Sequence, residues 1–348
     1  MFAKFRYWPI VMTVNLFGGL AQAQTPAGTE KIPPPAPTPV AIGETPPPAD
    51  AVAAVVNGQP VMEMAVFRGS LRLRPEARDQ ARPEVLNYLI DNVVVDQYLM
   101  QLKIEVTAKE VDEKMQVLLE STKKAGQDFP TMLKKLHLSE DELRRELFSA
   151  LRWDKFVMQQ GNDKVLRELF DKNVEMFNGA AMQARHILIK ATDDKKAEAT
   201  ARIAALKKEI DAKVAQELAK LPAGNDKITV EKARAKILEG VFAETAARES
   251  GCDSKKQGGT LPYFPRIGVM VEPFARAAFA LRTYEMSEPV STEFGVHLIL
   301  ATDYRPGKEV KFEDVRPFVL EVYAEKLREA ILASYKPKAK IEVRAKKG

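Results

Sequence analysis

The chain has 348 residues, 45% of them apolar and 29% charged, with a net charge of +5. This is the make-up of a globular protein long enough for two domains once non-globular parts are set aside. The positive excess is mild and gathered largely in the closing stretch "YKPKAKIEVRAKKG", so it gives no ground for nucleic-acid binding.

The N-terminus "MFAKFRYWPIVMTVNLFGGLAQAQ" places Lys4 and Arg6 ahead of an apolar run and ends in a small-x-small triplet before Gln24. That order predicts a secretory signal over residues 1–23, cleaved after Ala23. An uncleaved anchor is the competing reading, but the apolar run is short and broken by Pro9 and Asn15. No later stretch has the length and apolarity of a bilayer span, so no stable span is expected after cleavage. Residues 24–50 carry nine prolines and almost nothing that would fill a core, which predicts an extended tether. Export also bears on Cys252. One cysteine makes no internal disulfide, so Cys252 is either a small buried side chain or a thiol kept free for a reason.

From Ala51 the composition becomes that of a fold. "AVAAVVNGQPV" predicts a strand, a turn at Asn57-Gly58 and a second strand. "RPEVLNYLIDNVVVDQYLMQLKI", from Arg82, is apolar on most faces and predicts a central buried helix. Thr107 with Glu110, and Ser139 with Glu142, match capping boxes that open the helices after it. "SEDELRRELFSALRWDKFVMQQ" and "DKVLRELFDKNVEMF" keep helical spacing. Residues 51–178 are therefore expected to form a mainly helical domain with a strand pair at its start.

The pattern then shifts. "AMQARHILIKA" predicts a strand, followed by charged helical stretches near 194–220 and 229–249 around the breaker "LPAGNDK". The glycine turn "KKQGGTLPYF" leads to a short helix, "VEPFARAAFAL", and then to the strand "GVHLILATDYR". Strands at both ends with helices between them predict an α/β or α+β module over residues 179–305. A long amphipathic helix, "KFEDVRPFVLEVYAEKLREAILASY", and the closing strand "KIEVRAK" occupy residues 306–348.

Two of only three histidines, His186 and His297, lead the two long strands of this module. On their own they are as well explained as core residues. Their company is more specific. "ARHILIK", "FAETAARESGCDSKKQGGTLPYF", "GVMVEPFARAAFAL" and "SEPVSTEFGVHLIL" occur in that order and together resemble the parvulin family of peptidyl-prolyl cis–trans isomerases. The resemblance implies that the two strands are neighbours in a small antiparallel sheet, with the imidazoles facing each other beneath the active site. It implies catalytic roles for His186, Cys252, Thr292 and His297, joined in a hydrogen-bonded network. It also implies a proline pocket formed by Leu261, Met270 and Phe274, with Phe264 lining the same cavity or packing as ordinary core.

The chemistry suits such a site. An X-Pro bond rotates over a barrier of about 18–20 kcal/mol, and no covalent bond has to form or break. A dry pocket that grips the proline ring and fixed dipoles that favour the twisted amide are sufficient. Cys252 with His297 also supplies the minimal pair for a cysteine hydrolase, though nothing else in the sequence supports an acyl-enzyme. No cofactor is expected. No metal is expected either, because the histidines and the cysteine lack ligand spacing. The stretch "KATDDKKAEA" has two aspartates and no arginine, which argues against phosphate recognition.

Three features depart from the parvulin pattern. "FPRIGVM" carries one residue more than the commonest form, and Tyr284 stands where the family turns on glycine. Tyrosine resists positive φ, so that loop is expected to take another shape. Residues near 207–240 interrupt the first helical region and predict a solvated helical hairpin, with contact to clients or partners as the other reading.

The whole arrangement further resembles SurA-type and PrsA-type extracytoplasmic foldases. That implies an α+β protein with a mainly helical, chaperone-like N-terminal domain completed by the C-terminal helix and strand, "KIEVR" pairing with "AVAAVV". It implies an extracytoplasmic isomerase and chaperone, in the periplasm in particular, acting on unfolded or nascent exported chains that contain X-Pro bonds. The alternative is a holding chaperone whose parvulin module binds peptides with little turnover.

Overall fold

The computed structural model describes residues 46–71, 73–222 and 226–345. The expected signal segment and nearly all of the proline-rich tether lie outside the described residues. The described chain forms two compact units. One comprises the residues up to Leu169 together with Val315 onwards; the other is Phe170–Asp314.

In the first unit, β1 (Val52–Val56) and β2 (Gln59–Met62) form the expected antiparallel hairpin. The turn needs two residues at positive φ, and Asn57 (φ 50) and Gly58 (φ 85) supply them. The closing strand β7 (Ile341–Val343) pairs with the free edge of β1, Ala54 opposite Val343 and Val56 opposite Ile341. The sheet order is thus β2-β1-β7. Asn57 ties the junction: its amide N–H donates to the Lys340 carbonyl at 2.8 Å, and its Oδ1 accepts from Lys340 N–H at 2.8 Å.

α1 (Glu63–Ser70) and α2 (Pro75–Gln101) follow. α2 begins before the predicted start at Arg82 and runs through Pro83. Pro75 opens its first turn, where a missing N–H costs nothing. Val85, Leu86, Ile90 and Val94 of α2 pack on Ala54, Val56 and Val61 of the sheet. α3 (Ala108–Lys124), α4 (Phe129–Lys135) and α5 (Glu140–Gln160) enclose a second core around Met115, Leu118, Leu143 and Leu147. Both predicted capping boxes form, with reciprocal bonds between Thr107 and Glu110 and between Ser139 and Glu142.

α6 (Asp163–Lys172) leads into the second unit, and α10 (Phe312–Tyr335) leads back. α10 completes the first unit: Ile331 joins Val95, Leu99 and Phe156, and the Tyr335 ring lies 4.4 Å from that of Tyr98. Polar contacts fix its register. Arg328 donates to Asn92 Oδ1 at 2.8 Å, and Lys336 pairs with Asp91 at 2.5 Å. The helical domain completed by the C-terminal helix and strand is as the sequence led us to expect.

The second unit holds an antiparallel sheet in the order β4-β3-β6-β5, formed by β4 (Phe264–Pro265), β3 (Ala181–Lys190), β6 (Gly295–Arg305) and β5 (Val290–Thr292). Side chains alternate across β3 and β6, giving the sheet two buried faces. Ile187, Val296, Leu298 and Leu300 face α7 (Lys196–Leu218) and α8 (Lys227–Glu249). Met182, Ala184, Ile299 and Ala301 face α9 (Glu272–Phe279) and the Phe264 segment. Within the expected insertion, the outer parts of α7 and α8 are not wholly solvated: Ile210, Val214 and Leu238 extend the core that begins at the sheet. Among the described residues, no helix is long and apolar enough to cross a membrane.

Candidate active site

Strand register brings the two histidines together. His186 lies opposite Ile299, and His297 opposite Leu188, so the imidazoles sit diagonally on one face of adjacent strands. Their rings stack with centroids 5.4 Å apart and planes 16° from parallel. The two Nδ1 atoms are 3.2 Å apart. The outer nitrogens are also bonded. His297 Nε2 lies 2.8 Å from Thr292 Oγ1, and His186 Nε2 lies 3.0 Å from Ser254 Oγ.

Both rings are neutral at neutral pH. Burial pushes the His186 pKa down to about 4. Burial, and secondarily the neighbouring His186, pushes that of His297 down to about 3. Two neutral imidazoles place one proton between the facing Nδ1 atoms, and the outer nitrogens are bonded to the two hydroxyls. Thr292 Oγ1 also accepts from Phe294 N–H at 3.1 Å and lies 3.4 Å from the Gly295 carbonyl oxygen. The result is a continuous hydrogen-bonded row, the element that an electrostatic mechanism requires.

Phe274 of α9 covers this row. Its ring meets His186 edge-on at 5.6 Å and His297 at 5.2 Å. Leu261 and Met270, both half-buried, belong to the same apolar cluster. The loop bearing Met270 is bracketed by Arg266 and Glu272, whose two hydrogen bonds measure 2.8 and 2.9 Å. Gly268 in this loop takes φ 96.

Leu261 is placed through the turn before it. Gly259, at φ 78, accepts from His186 N–H at 2.9 Å, and Leu261 N–H donates to the Ala184 carbonyl at 2.9 Å. A Cβ on Gly259 would stand 2.4 Å from the His186 carbonyl oxygen, so the turn can run this close to β3 only with glycine. The Arg185 guanidinium fastens the turn from the other side, at 3.1 Å from the Gln257 carbonyl and 3.0 Å from that of Gly258.

Two expected site residues are placed differently. Phe264 has no exposed surface, and its ring packs against Phe274 and Phe279 at 6.0 and 6.2 Å. It packs as core behind Phe274, the second of the two readings given above. Cys252 is buried, and no hydrogen bond joins its thiol to the histidine row. Its backbone N–H donates to Ser250 Oγ at 3.3 Å, and it opens a 3-10 turn, Asp253–Gln257, from which Ser254 reaches His186. Ser254 is the member that sequence reasoning missed. Nothing local separates it from the other serines of the chain; only the turn geometry selects it.

Tyr284 overturns another expectation. It adopts φ 61, the left-handed turn reserved for glycine in the resemblance, at a cost of roughly 1–2 kcal/mol. Its N–H donates to the Ala301 carbonyl at 2.7 Å, which holds the turn against β6. Among the described residues no group of His, Cys, Asp and Glu side chains has the arrangement of a metal site.

A small antiparallel sheet carries the paired histidines, and a Phe-Met-Leu cluster lies beside them, the arrangement that the parvulin resemblance implied. Residues 162–317 match the PPIC-type PPIASE domain family. Among its relatives is the foldase protein PrsA of Bacillus subtilis, 38% identical over 97 residues, which are 28% of this chain and 33% of the relative. PrsA of Oceanobacillus iheyensis is 28% identical over 217 residues, 61% of this chain and 59% of that protein. The peptidyl-prolyl cis-trans isomerase pin1 of Rhizopus delemar is 54% identical over 57 residues, 16% of this chain and 37% of the relative. The chain thus matches less than two thirds of the length of each.

Proposed function

We propose that the protein is an extracytoplasmic peptidyl-prolyl cis–trans isomerase and chaperone that assists the folding of exported chains. The observation that carries this reading is the row Ser254–His186–His297–Thr292 beneath Phe274, bonded at 3.0, 3.2 and 2.8 Å. No acid–base pair poised near neutrality and no activated nucleophile accompanies it, since both imidazoles are held neutral and the Cys252 thiol stands apart. What remains is non-covalent catalysis. Leu261, Met270 and Phe274 grip the proline ring and exclude water. The oriented imidazoles and hydroxyls present fixed dipoles to an amide whose carbonyl is losing resonance. Uncatalysed, such bonds exchange over tens of seconds, long enough to leave an exported chain open to aggregation.

The substrates are unfolded or nascent polypeptides with X-Pro bonds, and the location is the periplasm. The expected signal and tether, and the similarity to PrsA foldases, support both statements. The helical unit would hold the client while the isomerase works on it.

The test is cis-to-trans exchange of an unphosphorylated X-Pro peptide by the mature chain, beside a Met270→Ala, Phe274→Ala variant whose fold is checked by circular dichroism. A rate enhancement that the variant loses by about a hundredfold supports the reading. A well-folded wild type with no enhancement overturns it and leaves a peptide-holding module.

A further inference from the structure

We infer that the helical hairpin 207–240 is a positioning device for the active site, acting through the strained turn at Tyr284. The inference rests on the isomerase reading above. The connection from α9 to β5 sets how Phe274, on α9, stands relative to Thr292, on β5. It is bound to β6 along its length. Tyr284 N–H donates to the Ala301 carbonyl at 2.7 Å, Ala301 N–H to that of Glu285 at 3.2 Å, and Ser287 N–H to that of Ile299 at 2.8 Å.

At φ 61, Tyr284 persists in this conformation only because its surroundings over-determine it. Beyond β6, the turn is closed by its own bonds, Glu285 N–H to the Arg282 carbonyl at 3.0 Å and Arg282 N–H to Glu285 Oε2 at 2.9 Å, and the hairpin grips it from outside. Arg234 Nη1 reaches the Tyr284 carbonyl at 3.5 Å, and Lys207 pairs with Glu288. The side chains of Tyr284 and Met286 pack on the core that the sheet shares with α7 and α8. Lys207 and Arg234 both lie within the segment that interrupts the first helical region. The extra hairpin and the non-glycine turn are therefore one coupled feature: the hairpin holds the turn that glycine would otherwise take unaided. Released from it, Tyr284 leaves the left-handed region, and the connection shifts Thr292 against His297. The change falls on the geometry of the bound state more than on peptide affinity.

The experiment uses the full chain with Lys207→Ala and Arg234→Ala together, in the wild-type and in a Tyr284→Gly background. Isomerisation of an unphosphorylated X-Pro peptide and hydrogen exchange at the Tyr284 and Ser287 amides are both measured. In the wild-type background kcat falls about tenfold with KM unchanged, and both amides exchange faster. In the Tyr284→Gly background the same pair of substitutions changes kcat by less than about twofold, because glycine holds the turn without help. Equal losses in the two backgrounds, or a folded double variant with wild-type kcat and exchange, overturn the inference. If the wild-type chain shows no isomerase activity, the proposed function fails, and the exchange at the two amides alone decides whether the hairpin holds the turn.

Discussion

His186 and His297 make the site sensitive to acid, and the sign follows from their burial. In the unfolded chain each imidazole takes up a proton near the ordinary 6.5, whereas the folded pair resists down to about 4 and about 3. Below pH 6.5 the unfolded state therefore binds more protons, and stability falls steadily until the folded rings also titrate. Above pH 6.5 both states are neutral at these positions and the contribution is complete. The only cysteine, buried Cys252, provides the reporter: urea unfolding at a series of pH values, each sample pulsed with a thiol reagent at one fixed pH. A His186→Asn variant should lose stability less steeply between pH 6.5 and 4.5 than the wild type; equal slopes would mean that the pair does not resist protonation. The pair, with Thr292, was legible in the sequence because motif order constrains it. Ser254 was not, since its role depends on a 3-10 turn that carries no distinctive pattern. The Tyr284 turn was misread because a rule about intrinsic backbone preference was applied without the packing that overrides it.

The elements were most legible where a short chemical signal sets a boundary. Asn57-Gly58 and the boxes at Thr107 and Ser139 behave as read, because each is satisfied by residues within a few positions. α2 shows the limit. Its start at Pro75 was hidden because Pro83, eight residues later, is an equally good opening proline by pattern alone. The Ser139 cap carries a direct prediction. Its Oγ accepts from Glu142 N–H at 3.2 Å while Glu142 reaches back to Ser139 N–H at 2.9 Å, so Ser139→Ala keeps the second bond and leaves Glu142 N–H without its acceptor. The variant should destabilise the helical unit by about 1 kcal/mol, read from Trp153 fluorescence in urea. An unchanged midpoint would show that α5 is held by its packing alone.

At the scale of the molecule, the first unit is built from both ends of the described chain. The amphipathic pattern of α10 and the alternation in "KIEVR" announced elements in need of partners, and the resemblance pointed the strand to "AVAAVV"; the structure adds its register and the residues that α10 covers. A chain ending at Asp314 should lose the cooperative melt reported by Trp153, because β1 is left with one neighbour and the cluster around Leu99 and Phe156 loses Ile331. The amides of β3 and β6 should stay protected in the same sample. A persistent Trp153 transition would show that the helical unit stands without its last segment. The same pairing has a consequence for biosynthesis. Asn57 waits for Lys340, 283 residues downstream, and β1 is translated with its second edge bare. Until the final helix and strand leave the ribosome, the growing polypeptide presents an unpaired strand and an uncovered apolar helix face, a state prone to aggregation. In the proposed reading a protein that shelters unfinished chains is, for most of its own synthesis, one of them.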